Sequence, residues 1–140
     1  MIIQTLRPKS PVIRQAAAHD IAGFYRDELA CRAEQGFPPF RRLLRLVLRS
    51  KNQQAARDWA DALAERLRNS INAGSIGAPV ELLGPAECPL AMVAGNARYH
   101  LLLRSDGAGP GRAALLAAME GWRSPAGVHL EIDPDPVSLL

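Results

Sequence analysis

A chain of 140 residues is long enough for one domain with a buried core, and 48% hydrophobic against 22% charged residues excludes a disordered segment. The net charge of +3 is carried almost wholly by arginine, Lys9 and Lys51 being the two lysines, and an excess this small does not by itself mark a nucleic-acid binder. No apolar run approaches the roughly twenty residues of a membrane span and no secretory leader is visible, so a cytoplasmic protein without a membrane partner is expected.

Residues 1–6 are short, apolar and β-branched, and Pro8 and Pro11 stop them, which predicts a strand with no neighbour to pair with. Residues 11–19 suit a short helix. Asp20 then caps a longer one, with Ile21, Phe24, Tyr25, Glu28 and Cys31 near helical spacing and Gly36 as its stop. Phe24 and Tyr25 read as packing residues rather than base-stacking ones. Pro38 and Pro39 fix φ at about −65° twice in succession and bar a helix. The chain is thereby divided into an arm, residues 1–40, and a domain, residues 41–140.

The domain opens with strict alternation. Leu44, Leu46 and Leu48 share one face of an extended strand, while Leu43, Arg45, Val47 and Arg49 share the other. Asn52 caps a helix over residues 52–69 with Ala56, Trp59, Ala60, Leu63 and Leu67 on its apolar face. Arg57, Asp61, Glu65 and Arg68 lie opposite, at spacings where charges pair. A Gly-rich loop over residues 72–79 leads to a second strand, residues 80–83, which Gly84-Pro85 ends. Residues 87–97 are expected to form a loop.

A third strand over residues 98–104 places Tyr99, Leu101 and Leu103 on one face and Arg98, His100, Leu102 and Arg104 on the other. A second helix over about residues 111–121 turns Leu115, Met119 and Trp122 inward. A fourth strand, residues 128–132, buries Val128, Leu130 and Ile132, and a tail with two Asp-Pro steps follows.

A β-α-β-β-α-β order predicts an α+β fold of the split-βαβ, ferredoxin-like kind, with both helices on one face of a four-stranded antiparallel sheet. Its first and third strands are central neighbours. With the leucine faces under the helices, Arg45, Arg49, Arg98, His100 and Arg104 share the far face, where four arginines and a histidine suit a phosphate backbone. No aromatic stands among them, which excludes the stacking platform of an RNA-reading sheet. Glu81, His129 and Glu131 on the outer strands dilute the charge. The alternative is a covered face with its arginines at the rim.

Nothing in the sequence assembles a reaction centre. Gly107, Gly109 and Gly111 come without the Lys and hydroxyl of a phosphate-binding loop. His19, His100 and His129 lack a nucleophile or carboxylate partner, apart from Asp20, which serves better as a cap. Asp133 and Asp135 in a Pro-rich tail read as solvated. Cys31 and Cys88 have no metal-ligand spacing and read as buried thiols in a reducing compartment. No catalytic residue, metal or cofactor is expected in this chain.

A helix closing on Arg32, then Gly36-Phe37-Pro38-Pro39-Phe40 and the alternating strand, resembles the C-terminal region of the primosomal protein N′ family, the PriA-type replication-restart DNA helicases. The likeness continues in order through Ile2-Ile3-Gln4-Thr5 with Pro8, His19-Asp20, and Phe24-Tyr25 before Glu28-Leu29. It runs on through Leu83-Gly84-Pro85-Ala86, Arg98-Tyr99 before Leu101-Leu102-Leu103, and residues 133–140. The resemblance implies the same ferredoxin-like domain, related to a small-subunit ribosomal protein. It makes residues 1–6 the last strand of a motor lobe, with Met1 inside that strand, so that the chain is a cut piece or has an unusual start.

As a whole protein the family implies an ATP-driven 3′-to-5′ DNA helicase in the bacterial cytoplasm, associated with the nucleoid. Its motor motifs and zinc cysteines are not in this sequence, so the chain alone is expected not to be an enzyme, with ATP, Mg and Zn belonging to missing parts. The implied partners are forked or single-stranded DNA, other primosome proteins, and single-stranded DNA-binding protein. The family holds the acidic C-terminal tail of that last partner with the basic residue opening the second helix; Arg112 matches this position, while Leu116 stands where a polar contact occurs in relatives. Relatives also carry several Lys or Arg before the Arg98-Tyr99 step, where this chain has Met92, Ala94 and Asn96. The two readings are a domain that contacts DNA backbone and helps dock the tail, or a purely structural module that packs on the helicase lobes with no nucleic-acid affinity of its own.

Overall fold

The computed structural model describes residues 4–74, 76–137 and 139. In chain order the elements are α1 (Pro11–Ala18), α2 (Ile21–Gln35), β1 (Arg42–Ser50), α3 (Gln53–Asn72), β2 (Val80–Val93), β3 (Asn96–Ser105), α4 (Ala108–Met119) and β4 (Val128–Pro134). They divide into two units, residues 1–40 and residues 41–140.

In the first unit the strand expected over residues 1–6 falls partly outside the described residues, and residues 4–6 form no strand. Pro11 occupies the first turn of α1, where its missing N–H costs nothing. Asp20 caps α2 as its sequence position predicts, its Oδ1 accepting from the Gly23 N–H at 2.9 Å. That cap requires Gly23, since a Cβ there would lie 2.1 Å from the Asp20 carboxylate. Gly36 ends the helix in the left-handed region, at φ 65°. Phe24 and Tyr25 form a tilted ring pair with centroids 5.8 Å apart, yet Tyr25 remains exposed. Cys31 is exposed too, contrary to the expected buried thiol, because it lies on the solvent side of a helix that buries only Gly23.

The second unit is the expected α+β domain. Its four strands form one antiparallel sheet in the order β2-β3-β1-β4, the split-βαβ arrangement with β1 and β3 at the centre. Leu46, Leu48, Leu101 and Leu103 on one sheet face meet Ala56, Ala60, Leu63, Ala64 and Leu67 of α3, and Leu115 and Ala118 of α4. Alanines at every turn of α3 let the helix sit close to the sheet while the leucines fill the gaps between them. Asn52 caps α3 through its Oδ1, accepting from the Ala55 N–H at 3.1 Å.

The two helices are also joined through partly buried side chains packed against this core. Trp59 of α3 meets Trp122, just past α4, edge to face with ring centroids 4.4 Å apart. Arg66 of α3 lies over the Trp122 ring and donates to the carbonyls of Ala118 and Glu120, which capping alone would leave open at the end of α4.

Three boundaries differ from the sequence reading. Helix α3 runs to Asn72 rather than residue 69, and α4 begins at Ala108, with Pro110 inside its first turn rather than before it. Pro110 is tolerated there because the first helical N–H groups have no partner within the helix. The largest change is β2, which continues past Gly84-Pro85 to Val93 through two irregularities in its pairing with β3. Residues 87–97 are therefore mostly hairpin: Ala94 and Gly95, with φ 48° and 74°, make the turn back into β3. Prolines survive in β2 because it is an edge strand.

Candidate nucleic-acid interface

Register puts the sequence-predicted cations together. On the face away from the helices, Arg49 stands directly opposite Arg98 across the β1–β3 pair, and Val47 opposite His100. Arg104 lies opposite Leu43 on β1 and Glu81 on β2. Like charges directly opposite one another on a sheet are destabilising, so the Arg49–Arg98 pairing concentrates positive potential at the end of the two central strands.

The chain compensates part of this charge itself. Arg49 pairs with Glu131 of β4. Arg104 donates through Nε and Nη2 to Glu81 Oε2, at 2.9 and 2.6 Å. Arg41 adds a contact to Glu81 at 3.6 Å and one to Asp106 at 2.9 Å. Arg98 is half-buried and forms no ion pair among the described residues.

Arg45 is placed differently from its expected neighbours on an open face. It is 3% exposed, and its Nη2 donates to the Leu139 carbonyl at 3.0 Å and lies 3.7 Å from the Cys88 Sγ. The segment after β4 turns back here: Asp135 at φ 49° accepts from the Leu43 N–H and donates its own N–H to the Leu43 carbonyl at 2.7 Å. Nothing in the sequence spacing announces this, because the tail reaches Arg45 across 94 residues. His100 responds to the same surroundings. Burial first, then the charges of Arg45 and Arg98, hold its imidazole below the ordinary 6.5.

Arg112 belongs to another place. It is exposed in the second turn of α4 rather than at its opening residue, and it borders an apolar groove of about 410 Å³ between the start of α4 and the ends of β1 and β4. Leu43, Leu44, Leu115, Leu116 and Ile132 supply the apolar walls. Arg42, also on the groove, is paired with Asp135, whereas Arg112 forms no ion pair among the described residues. The start of α4 is held against β3: the Ser105 hydroxyl donates to the Gly107 carbonyl at 2.6 Å, and a Cβ on Gly111 would lie 3.5 Å from that hydroxyl oxygen. The groove is a feature that sequence reasoning missed: Leu116 is exposed on it, and so is Ile132, which the alternation of β4 had placed inward.

Among the described residues no group of His, Cys, Asp and Glu could hold a metal ion, and no helix is long and apolar enough to cross a membrane.

Comparison with known proteins agrees with this architecture. The family model described as Primosomal protein N C-terminal domain matches residues 33–137. A replication restart protein PriA from Treponema pallidum is 39% identical over 140 residues, which cover 100% of this chain and 20% of that protein. One from Thermotoga maritima is 33% identical over 105 residues, covering 75% of this chain and 13% of that protein. One from Borreliella burgdorferi is 28% identical over 140 residues, covering 100% and 20%. The chain thus spans a fifth or less of the length of these curated relatives. Matched by the family model over residues 33–137 and by a relative along its whole length, the chain belongs to the primosomal protein N C-terminal domain family.

Proposed function

We propose that this chain is the C-terminal domain of a replication-restart helicase and that it contacts forked or single-stranded DNA through the phosphate backbone. The observation that carries this reading is the Arg49–Arg98 pair, two arginines directly opposite each other with His100 beside them. A sheet gains nothing in stability from that arrangement, and a phosphate brought between two guanidinium groups turns repulsion into two charge-assisted contacts. Such contacts position a strand without reading its sequence.

The groove beside Arg112 supports the second half of the reading, docking of the single-stranded DNA-binding protein tail. An exposed arginine at the rim of an apolar groove suits a peptide that ends in an apolar side chain and a free carboxylate. Leu116 makes that wall apolar where relatives offer a polar contact. ATP hydrolysis and strand separation would belong to the other parts of the full-length protein, and further primosome proteins would meet the assembled whole.

The ion pairs Arg104–Glu81 and Arg49–Glu131 favour a second reading, a structural module packing on the helicase lobes without nucleic-acid affinity. The double substitution Arg49→Glu, Arg98→Glu separates the two. Arg45 is left intact in this test, because a carboxylate in its buried place would unfold the sheet rather than report on binding. The DNA-contact reading expects fork affinity to weaken at least about tenfold, as expected for losing phosphate contacts. Unchanged affinity in a folded double variant leaves the structural module standing.

A further inference from the structure

We infer that the tip of the β2–β3 hairpin is an apolar wedge that meets the bare terminal base pair at the junction of forked DNA. The inference rests on the proposed backbone contact and names the part of the DNA that lies beyond it. Residues 88–97 contain no charged side chain. Leu90, Met92 and Val93 are nevertheless 53%, 58% and 43% exposed, three large apolar side chains on one short stretch. Ala94 and Gly95 close the turn, with φ 48° and 74°, so the stretch is a paired hairpin rather than a loose loop. Val93 stands opposite Asn96 and Met92 opposite Ala97, which puts apolar side chains on both faces of the tip.

Its position joins it to the arginines. The last rung between β1 and β3 is Ser50–Ala97, and the rung before it is Arg49–Arg98. The tip therefore runs past the end of β1 directly from the arginine pair. Val93 and Asn96 share the face of Arg98, and Asn96 precedes Arg98 by two residues, about 7 Å along an extended strand. Lys51 is exposed just past Arg49 and, like Arg98, forms no ion pair among the described residues. Glu87, the acidic residue nearest the tip in sequence, lies opposite Tyr99 on the other face and accepts from the Tyr99 hydroxyl at 3.0 Å. An uncharged apolar tip bordered by cations matches DNA, in which charged phosphates flank apolar base faces.

Leucine and methionine have no π face on which to stack a splayed single strand, but they are among the side chains that wedge against base steps. Within a duplex such a wedge requires unstacking. At a fork the last base pair has already lost one neighbour, and its bare face can be covered without that cost. The tip thus gives the domain a preference for the junction, which an arginine pair holding phosphates alone does not supply.

The test titrates the chain and its Met92→Ser, Val93→Ser double variant into a fork carrying 2-aminopurine at the junction base pair, and into a labelled oligothymidylate of about 20 nucleotides. The unsubstituted chain is expected to prefer the fork about fivefold, the factor for burying one or two methylene groups, and to change the junction fluorescence. The double variant is expected to lose both effects and to keep its affinity for the oligothymidylate. A junction signal and fork preference that survive the substitutions overturn the wedge while leaving the backbone contact intact, and so does fork binding by the unsubstituted chain without any junction signal. Absence of binding to either DNA overturns the backbone contact and the wedge together. An unsubstituted chain that sediments as a dimer beside a monomeric double variant makes the tip a contact between copies, and overturns the wedge as well. Should the double variant fail to fold, Met92→Ser alone decides the question: its junction signal is expected to fall, and an unchanged signal overturns the wedge.

Discussion

Arg104 and Glu81 face each other across the β3–β2 pair, with both Nε and Nη2 of the arginine on one carboxylate oxygen at 2.9 and 2.6 Å. Glu81 also meets Arg41 at 3.6 Å, so one carboxylate contacts two cations, of which Arg104 belongs to the proposed interface. Glu81→Gln takes the charge out of both contacts, while Arg41 keeps its contact to Asp106. Binding of single-stranded DNA is expected to tighten about two- to fivefold, equivalent to a partly exposed pair worth up to about 1 kcal/mol. Fluorescence anisotropy at low salt measures it, and weaker binding by the variant would show that Arg104 needs its partner in order to be placed.

Gly84 is expected to be intolerant of a side chain. Its φ is 96°, and a Cβ there would lie 2.8 Å from the His100 carbonyl oxygen on the neighbouring strand. Gly84→Ala combines backbone strain with a clash against main chain, and is expected to cost about 1–3 kcal/mol. Urea unfolding gives the value, with the midpoint falling and the slope unchanged.

His100 makes stability depend on pH. The unfolded chain titrates it at about 6.5, whereas the folded chain holds it lower through burial and the charges of Arg45 and Arg98. Between those two values the unfolded state binds more protons, so stability rises with pH in that window. The contribution is fully present above about pH 6.5 and is lost as the pH falls towards the folded value. The melting temperature is expected to drop between about pH 7 and about pH 5, and to drop less in His100→Gln. Equal slopes for the two proteins would place the acid sensitivity elsewhere.

The alternation in β1 and β3 made the sheet and its faces legible, because a period of two assigns every side chain to a side once one face is apolar. Asp20, Asn52 and Gly36 marked helix ends by their own chemistry. The long β2 was not legible: Gly84-Pro85 is a stop signal by local rules, and only an edge position with an irregular register lets the strand pass through it. Nor was the buried state of Arg45, which depends on a tail remote in sequence. Cys31 shows the converse limit, since helical spacing alone does not say whether a helix has anything to pack against.

Docking of an acidic tail should depend on Arg112 and not on the sheet face. Arg112→Glu is expected to weaken binding of a peptide carrying the acidic C-terminus of single-stranded DNA-binding protein by at least about tenfold, the loss of a charge-assisted contact and the gain of a repulsive one. Isothermal titration reads it, with DNA binding of the same variant as the control. Equal peptide affinity would remove the groove from the interaction.

The most direct test of DNA contact by this domain is the salt dependence of its binding to a labelled forked duplex, followed by anisotropy between about 50 mM and about 200 mM salt. Three phosphates held by Arg49, Arg98 and Arg104 correspond to a logarithmic slope of about −2.7, so affinity should fall steeply across that range. No binding at the lower salt, or binding indifferent to salt, would contradict contact through the arginine face.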